Sequence, residues 1–138
     1  MARPPVVKSF LIADTVIQDR MTGKWSVIGI FDRVMAPKFP VSHPLAFYLK
    51  LGDVEGRYAF KVELRDGDDR RVGLIEGIQL EVKVPAQTFE VGFHAPPLPL
   101  EKTGKYQFQL YVNNDFIASA PLEVVQITVQ PPPPAPPA

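Results

Sequence analysis

Residues 57–67 read Arg57-Tyr58-Ala59-Phe60-Lys61-Val62-Glu63-Leu64-Arg65-Asp66-Gly67, and this stretch decides the fold class. Tyr58, Phe60, Val62 and Leu64 fall on one face of an extended chain; Arg57, Lys61, Glu63 and Arg65 fall on the other. A period of two belongs to a half-buried strand, because successive side chains leave opposite faces of the pleat. Asp66-Gly67 then supplies the turn chemistry of a hairpin.

The same pattern repeats on both sides. Downstream, Arg71 to Glu76 forms a strand, and Gly77 marks a bulge or bend. Ile78, Leu80, Val82 and Val84 then alternate with Gln79, Glu81 and Lys83 until Pro85 ends the run. Phe89, Val91 and Phe93 make the next strand. Ala95-Pro96-Pro97-Leu98-Pro99 reads as a stiff connection long enough to cross between sheets. Gly104 opens a strand with Tyr106, Phe108, Leu110 and Val112 inward, Asn113-Asn114-Asp115 suits a tight hairpin, and a last strand or strand pair runs from Phe116 to about Val129. Pro121 within it requires an edge or a bulge. Upstream, Leu45 to Leu51 is a strand, followed by a turn over Gly52–Gly56. Pro37, Pro40 and Pro44 bracket a loop before it.

Two apolar segments open the chain, about Val6 to Ile17 and Trp25 to about Val34, joined through Thr22-Gly23. In the second, Trp25, Val27 and Phe31 share one face and Ile28 and Ile30 the other. A strand apolar on both faces must be covered on both. The first expectation is cover from the opposite sheet and from the Pro37–Pro44 loop or a terminal arm. The alternative is cover from another chain, and the exposure of Ile28 and Ile30 decides between them.

Short runs, frequent turn signals and no helical period predict an all-β fold, an antiparallel immunoglobulin-like β-sandwich of about seven to nine strands. The Gly104-x-Tyr106 entry to a late strand resembles the tyrosine corner of such folds. Three regions are expected: an extended arm over 1–5, one sandwich domain over 6–130, and a tail over 131–138. Six of the last eight residues are proline, which gives the tail polyproline II character, either as a spacer or as a docking ligand.

A chain of 138 residues is long enough to bury a core without staples. Fifteen basic and fifteen acidic side chains cancel, so nothing draws nucleic acid or an anionic membrane surface. The absence of cysteine removes disulfides and thiolate chemistry. No segment has the apolar length of a signal peptide or membrane helix, and a cytoplasmic location is expected.

The series Ala13-Asp14-x-Val16-x-x-Asp19, Thr22-Gly23-Lys24 and Ser26-Val27-Ile28-Gly29-Ile30-Phe31-Asp32-Arg33 continues into Pro37-x-Phe39-Pro40 and His43-Pro44. Gly56-x-Tyr58, Glu63-Leu64-x-Asp66 and Gly104-x-Tyr106-x-Phe108 follow. This series resembles a family of small bacterial β-sandwich proteins known only as a domain of unknown function. The resemblance runs from about Phe10 to Val125 and is most specific between Gly29 and Pro40. It implies a sandwich and no activity. The proline tail lies outside the pattern, and Trp25 stands where a smaller or polar residue is expected.

Candidate chemistry is sparse. His43 and His94 are the sole histidines and lack metal-ligand spacing, so they read as loop or strand-end residues. Asp66, Asp68 and Asp69 lack a calcium-loop spacing and read as a solvated turn. Asp14 and Asp32 lie in otherwise apolar strands. Two adjacent carboxylates could serve acid–base work, although such residues more often mark solvent or pair with a base. Nucleophile and phosphate-loop motifs are absent. No catalytic residue, cofactor or metal is therefore assigned. The leading reading is a non-enzymatic interaction or assembly module, with a protein partner or a homo-oligomer. Its expected interface comprises Trp25, Ile28 and Ile30 together with Pro131, Pro132, Pro133 and Pro134. The alternative is a carrier of a small apolar ligand within the sandwich, and an enzyme using Asp14 and Asp32 comes last.

Overall fold

Two long strands dominate the structure, β4 (Val41–Arg65) and β5 (Arg71–Leu100), paired antiparallel along their whole length. The computed structural model describes residues 4–128 and 135–137, and the backbone but not the side chain of Gln87. The remaining strands are β1 (Val6–Gln18), β2 (Trp25–Ile30), β3 (Arg33–Ala36), β6 (Gly104–Val112) and β7 (Asp115–Gln126), with no helix among the described residues.

The strands form one sheet in the order β2-β1-β4-β6-β7-β3, with β5 on β4. The first half of β4 pairs with β1 through Gly52↔Val6 to Ala46↔Ala13. Its second half pairs with β6 through Phe60↔Val112 to Arg65↔Gln107. Between them Asp53 and Gly56 take φ of 54° and 111°, and Gly77 in β5 takes 88°. Four register shifts place the extra residues of the longer β5 against β4. Bulges of this kind bend a strand and sharpen its twist. The sheet therefore folds back on itself into two sandwich-like layers rather than closing as a barrel. Phe47 from the first layer meets Phe108 from the second edge-to-face, with ring centroids 5.7 Å apart. One core fills the gap, with Leu49, Tyr58, Phe60, Leu110 and Leu122 buried in it.

Several local expectations change in this arrangement. Gly52–Gly56 is a bend within β4 and not a turn, and β5 runs through Pro85 and through the Ala95–Pro99 segment. Among the described residues β5 pairs on one side only, and Pro85, Pro96 and Pro97 fall at its register shifts against β4, where the ladder is already interrupted. Pro44 likewise lies inside β4, at the register shift between His43 and Leu45. The segment read as one strand from Trp25 to Val34 is two strands. After Ile30 the chain leaves the first layer, and β3 joins the second by pairing parallel with β7. The sheet is thus mixed and not wholly antiparallel. Asp32 marks the arrival, its carbonyl accepting the Glu123 amide at 2.8 Å.

Other expectations are met in detail. Asn113 and Asn114 have φ of 51° and 69° and form the two-residue β6–β7 turn. Pro121 lies on β7 ahead of its pairing with β3, which begins at Glu123. Tyr106 donates its hydroxyl to the Lys102 carbonyl at 2.8 Å, the back-bond of a tyrosine corner.

On the outer face of the second layer Glu63 is only 4 % exposed. Arg65 donates to its carboxylate at 2.8 Å, with Arg71 at 3.5 Å and Lys61 at 3.9 Å. Burial raises the Glu63 carboxyl. The Arg65 hydrogen bond and the charges of Arg65 and Lys61 outweigh it and leave the group below its ordinary 4.5. The folded protein then holds this proton less readily than the unfolded chain. The stabilisation is present above the ordinary value and is lost as pH falls through the folded one. Urea midpoints measured from about pH 6 to about pH 3 should fall, and Glu63→Gln should flatten part of that decline.

Candidate functional site

The β1–β2 hairpin closes on a turn fixed by one carboxylate. Asp19 accepts the amides of Met21 at 2.7 Å and Thr22 at 3.1 Å. Gly23 has a φ of 73° and donates to the Asp19 carbonyl, while the Asp19 amide donates to Lys24, the bonding of a glycine bulge after a three-residue loop.

Beyond this turn the hairpin lies against the outer surface of the first layer. Val16, Trp25 and Val27 pack with Ala46, Tyr48 and Leu11 in a second apolar cluster, separate from the main core. The Trp25 indole covers Gly92. A Cβ at Gly92 would fall 2.5 Å from the ring, so the absent side chain makes the seat. Thr15 Oγ1 and His94 Nε2 lie 2.8 Å apart and tie β1 to β5 across β4. Tyr48 donates to Glu90 beside them. Burial, with that bond and the Glu90 charge, pushes the Tyr48 hydroxyl up to about 12.

The opposite face of the hairpin is only partly covered, by Ala13 and by Thr15 with His94. Ile28 is 48 % exposed, Ile30 60 % and Ile17 52 %, with Met21 at the tip 94 % exposed. Full cover from within the domain, the first expectation, is not formed by the described residues. Ile28 and Ile30 stand opposite Thr15 and Ala13 in the register with β1. The face shared by Trp25, Val27 and Phe31 is also divided. Trp25 and Val27 join the outer cluster, whereas Phe31 packs on the main core and lies edge-on to His43 at 4.4 Å. Pro131, Pro132, Pro133 and Pro134 lie outside the described residues.

Among the described residues β2, β3 and β5 are each paired on one side only. β3 is four residues long, carries Arg33 and runs into Pro37. β5 carries Pro85, Pro96, Pro97 and Pro99, with charges at Arg71, Glu76, Glu81, Lys83 and Glu90. Short length, proline and charge all discourage further strand pairing. β2 reads Trp25-Ser26-Val27-Ile28-Gly29-Ile30, with no charge and no proline.

Asp14 and Asp32, the pair of the acid–base reading, are held by different partners. Asp14 Oδ1 lies 2.9 Å from His43 Nε2, while Asp32 stands at the crossover beside Glu123. His43 and His94 engage Asp14 and Thr15, adjacent residues on opposite faces of β1, so the two histidines do not converge. No group of three or more metal-ligating side chains occurs among the described residues.

A cleft of about 210 Å³ opens between the layers where both halves of β5 form the edge. Its floor is Leu45, Val62, Leu64 and Phe108, and its rim includes Val72 and Leu74. Every lining side chain is apolar. Sequence reading named neither this cleft nor Gly92. A glycine between Val91 and Phe93 was the available signal for close approach in a strand.

A family model described as a family of unknown function (DUF6941) matches residues 8–125. No curated protein matches the chain.

The match includes Gly29, which joins hairpin and crossover. Its φ of 73° is left-handed, and a Cβ there would fall 2.4 Å from Asp14 Oδ2. Gly29→Ala should cost about 1–2 kcal/mol through the backbone alone and also displace Asp14 from His43. Urea unfolding measures the first effect, and the His43 ring-nitrogen shifts in NMR report the second.

Proposed function

The chain belongs to that family of unknown function, which brings no activity with it, and we propose a non-enzymatic interaction or assembly module that accepts a β-strand from another protein chain on the free edge of β2. The observation that carries this reading is the exposure of Ile28 and Ile30 on an edge strand lacking both charge and proline. Strand addition supplies main-chain hydrogen bonds for affinity, and alternate side chains give selectivity. Burial of the isoleucines adds about 25 cal/mol per Å² before association costs. A photo-cross-linking amino acid at position 28, introduced in cells, should yield a discrete adduct with a protein chain. Ile30→Lys should abolish that adduct, and its persistence would count against the edge as the binding surface.

A second reading, a carrier of a small apolar ligand, is supported by the interlayer cleft. Its volume of about 210 Å³ lies below the range of drug-sized sites. It exceeds the cavity of about 150 Å³ that holds benzene in another protein. Three of the four residues 96–99 on its β5 wall are proline and offer no amide donor, so the ligand would be hydrocarbon in character. Titration with 1-hexanol should shift the NMR signals of Val72, Leu74 and Phe108, and Val72→Asp should weaken binding about tenfold, roughly the loss of one apolar contact. Shifts scattered over the whole core, or none, would remove this reading.

A further inference from the structure

We infer that the strand accepted by β2 comes from a second copy of this chain, in an antiparallel pair with Ile28 opposite Ile28 across a twofold axis; this rests on the strand-addition reading above. A symmetric pair requires one surface patch to complement itself. The six residues of β2 bring no like charges together in such a pair, because they carry none. Side chains on one face stay on that face only when the paired residue numbers sum to an even value, since strand periodicity is two. With Ile28 at the axis, Ser26 stands opposite Ile30 of the other copy.

The flanking charges fit the same axis. Lys24 precedes β2 and Asp32 follows it at the crossover; both are exposed, and neither has an ion pair among the described residues. Each lies four positions from Ile28, so the antiparallel copy brings Lys24 of each chain towards Asp32 of the other, twice by symmetry. A parallel pairing would instead set Lys24 beside Lys24 and Asp32 beside Asp32. Asp32 is two residues beyond the strand, where the chain has turned towards the second layer, and the long stem of Lys24 spans that offset. One short strand per copy makes this a small interface of the weak, concentration-dependent kind.

The decisive experiment is a charge exchange read by sedimentation velocity over a dilution series of the full chain. The wild type should dimerise reversibly. Lys24→Asp and Asp32→Lys should each weaken the dimer about tenfold, because two attractive cross-strand pairs become repulsive. Mixing the two variants should restore a one-to-one dimer, since every cross-pair is again opposite in sign. Circular dichroism and urea midpoints check that each variant is folded. A wild type that stays monomeric to about 1 mM, or two variants whose mixture associates no better than either alone, overturns the inference. The position-28 cross-link separates the two levels. An adduct of twice the chain mass supports self-pairing, an adduct with a different protein overturns it while leaving strand addition standing, and the absence of any adduct overturns both.

Discussion

Phe47 meets Phe108 only because the β4–β5 ribbon bends, and the rest of the molecule depends on that contact. The two rings belong to parts of the sheet that share no direct strand pairing, one beside β1 and one in β6. A flat ribbon would leave both rings on one wide apolar face in water. The left-handed residues Asp53 and Gly56, Gly77 in β5, and the extra residues of β5 let a single pair of strands serve both layers. The interior that results is continuous, and it is closed by main-chain pairing along most of the bent ribbon.

The same folding leaves the sheet with ends, and the ends are treated differently. Proline and charge occupy β5, while β3 is short. β2 has neither protection, yet Trp25 rests on Gly92 on one face of the hairpin, while on the other face Thr15, opposite Ile28, contacts His94. A strand packed on one face and half exposed on the other has less conformational freedom left to lose in any further contact.

Between Gly29 and Asp32 the chain passes from this anchored hairpin to the second layer. Gly29 makes room for the Asp14 carboxylate, Phe31 covers His43 and reaches the core, and the Asp32 carbonyl joins β7. The residues on which the family resemblance is most specific therefore have a structural task, linking the layers.

Strand content, the hairpin turns, the inward faces of β4 and β6 and the tyrosine corner were all legible in the sequence, because each is set by residues close along the chain. Alternation fixes which side chains share a face, and the asparagines of the β6–β7 turn fix its backbone. Ile28 and Ile30 were visible as apolar residues lacking an obvious cover. Only the tertiary structure decided that β2 is an edge, that the described chain leaves those two residues about half exposed, and that Trp25 turns away to rest on Gly92. The bend inside β4, the passage of β5 through its prolines and the parallel pairing of β3 were likewise settled by pairing partners far away in sequence. A strand's own residues state which sides it needs covered; what lies on each side depends on where the rest of the chain is folded.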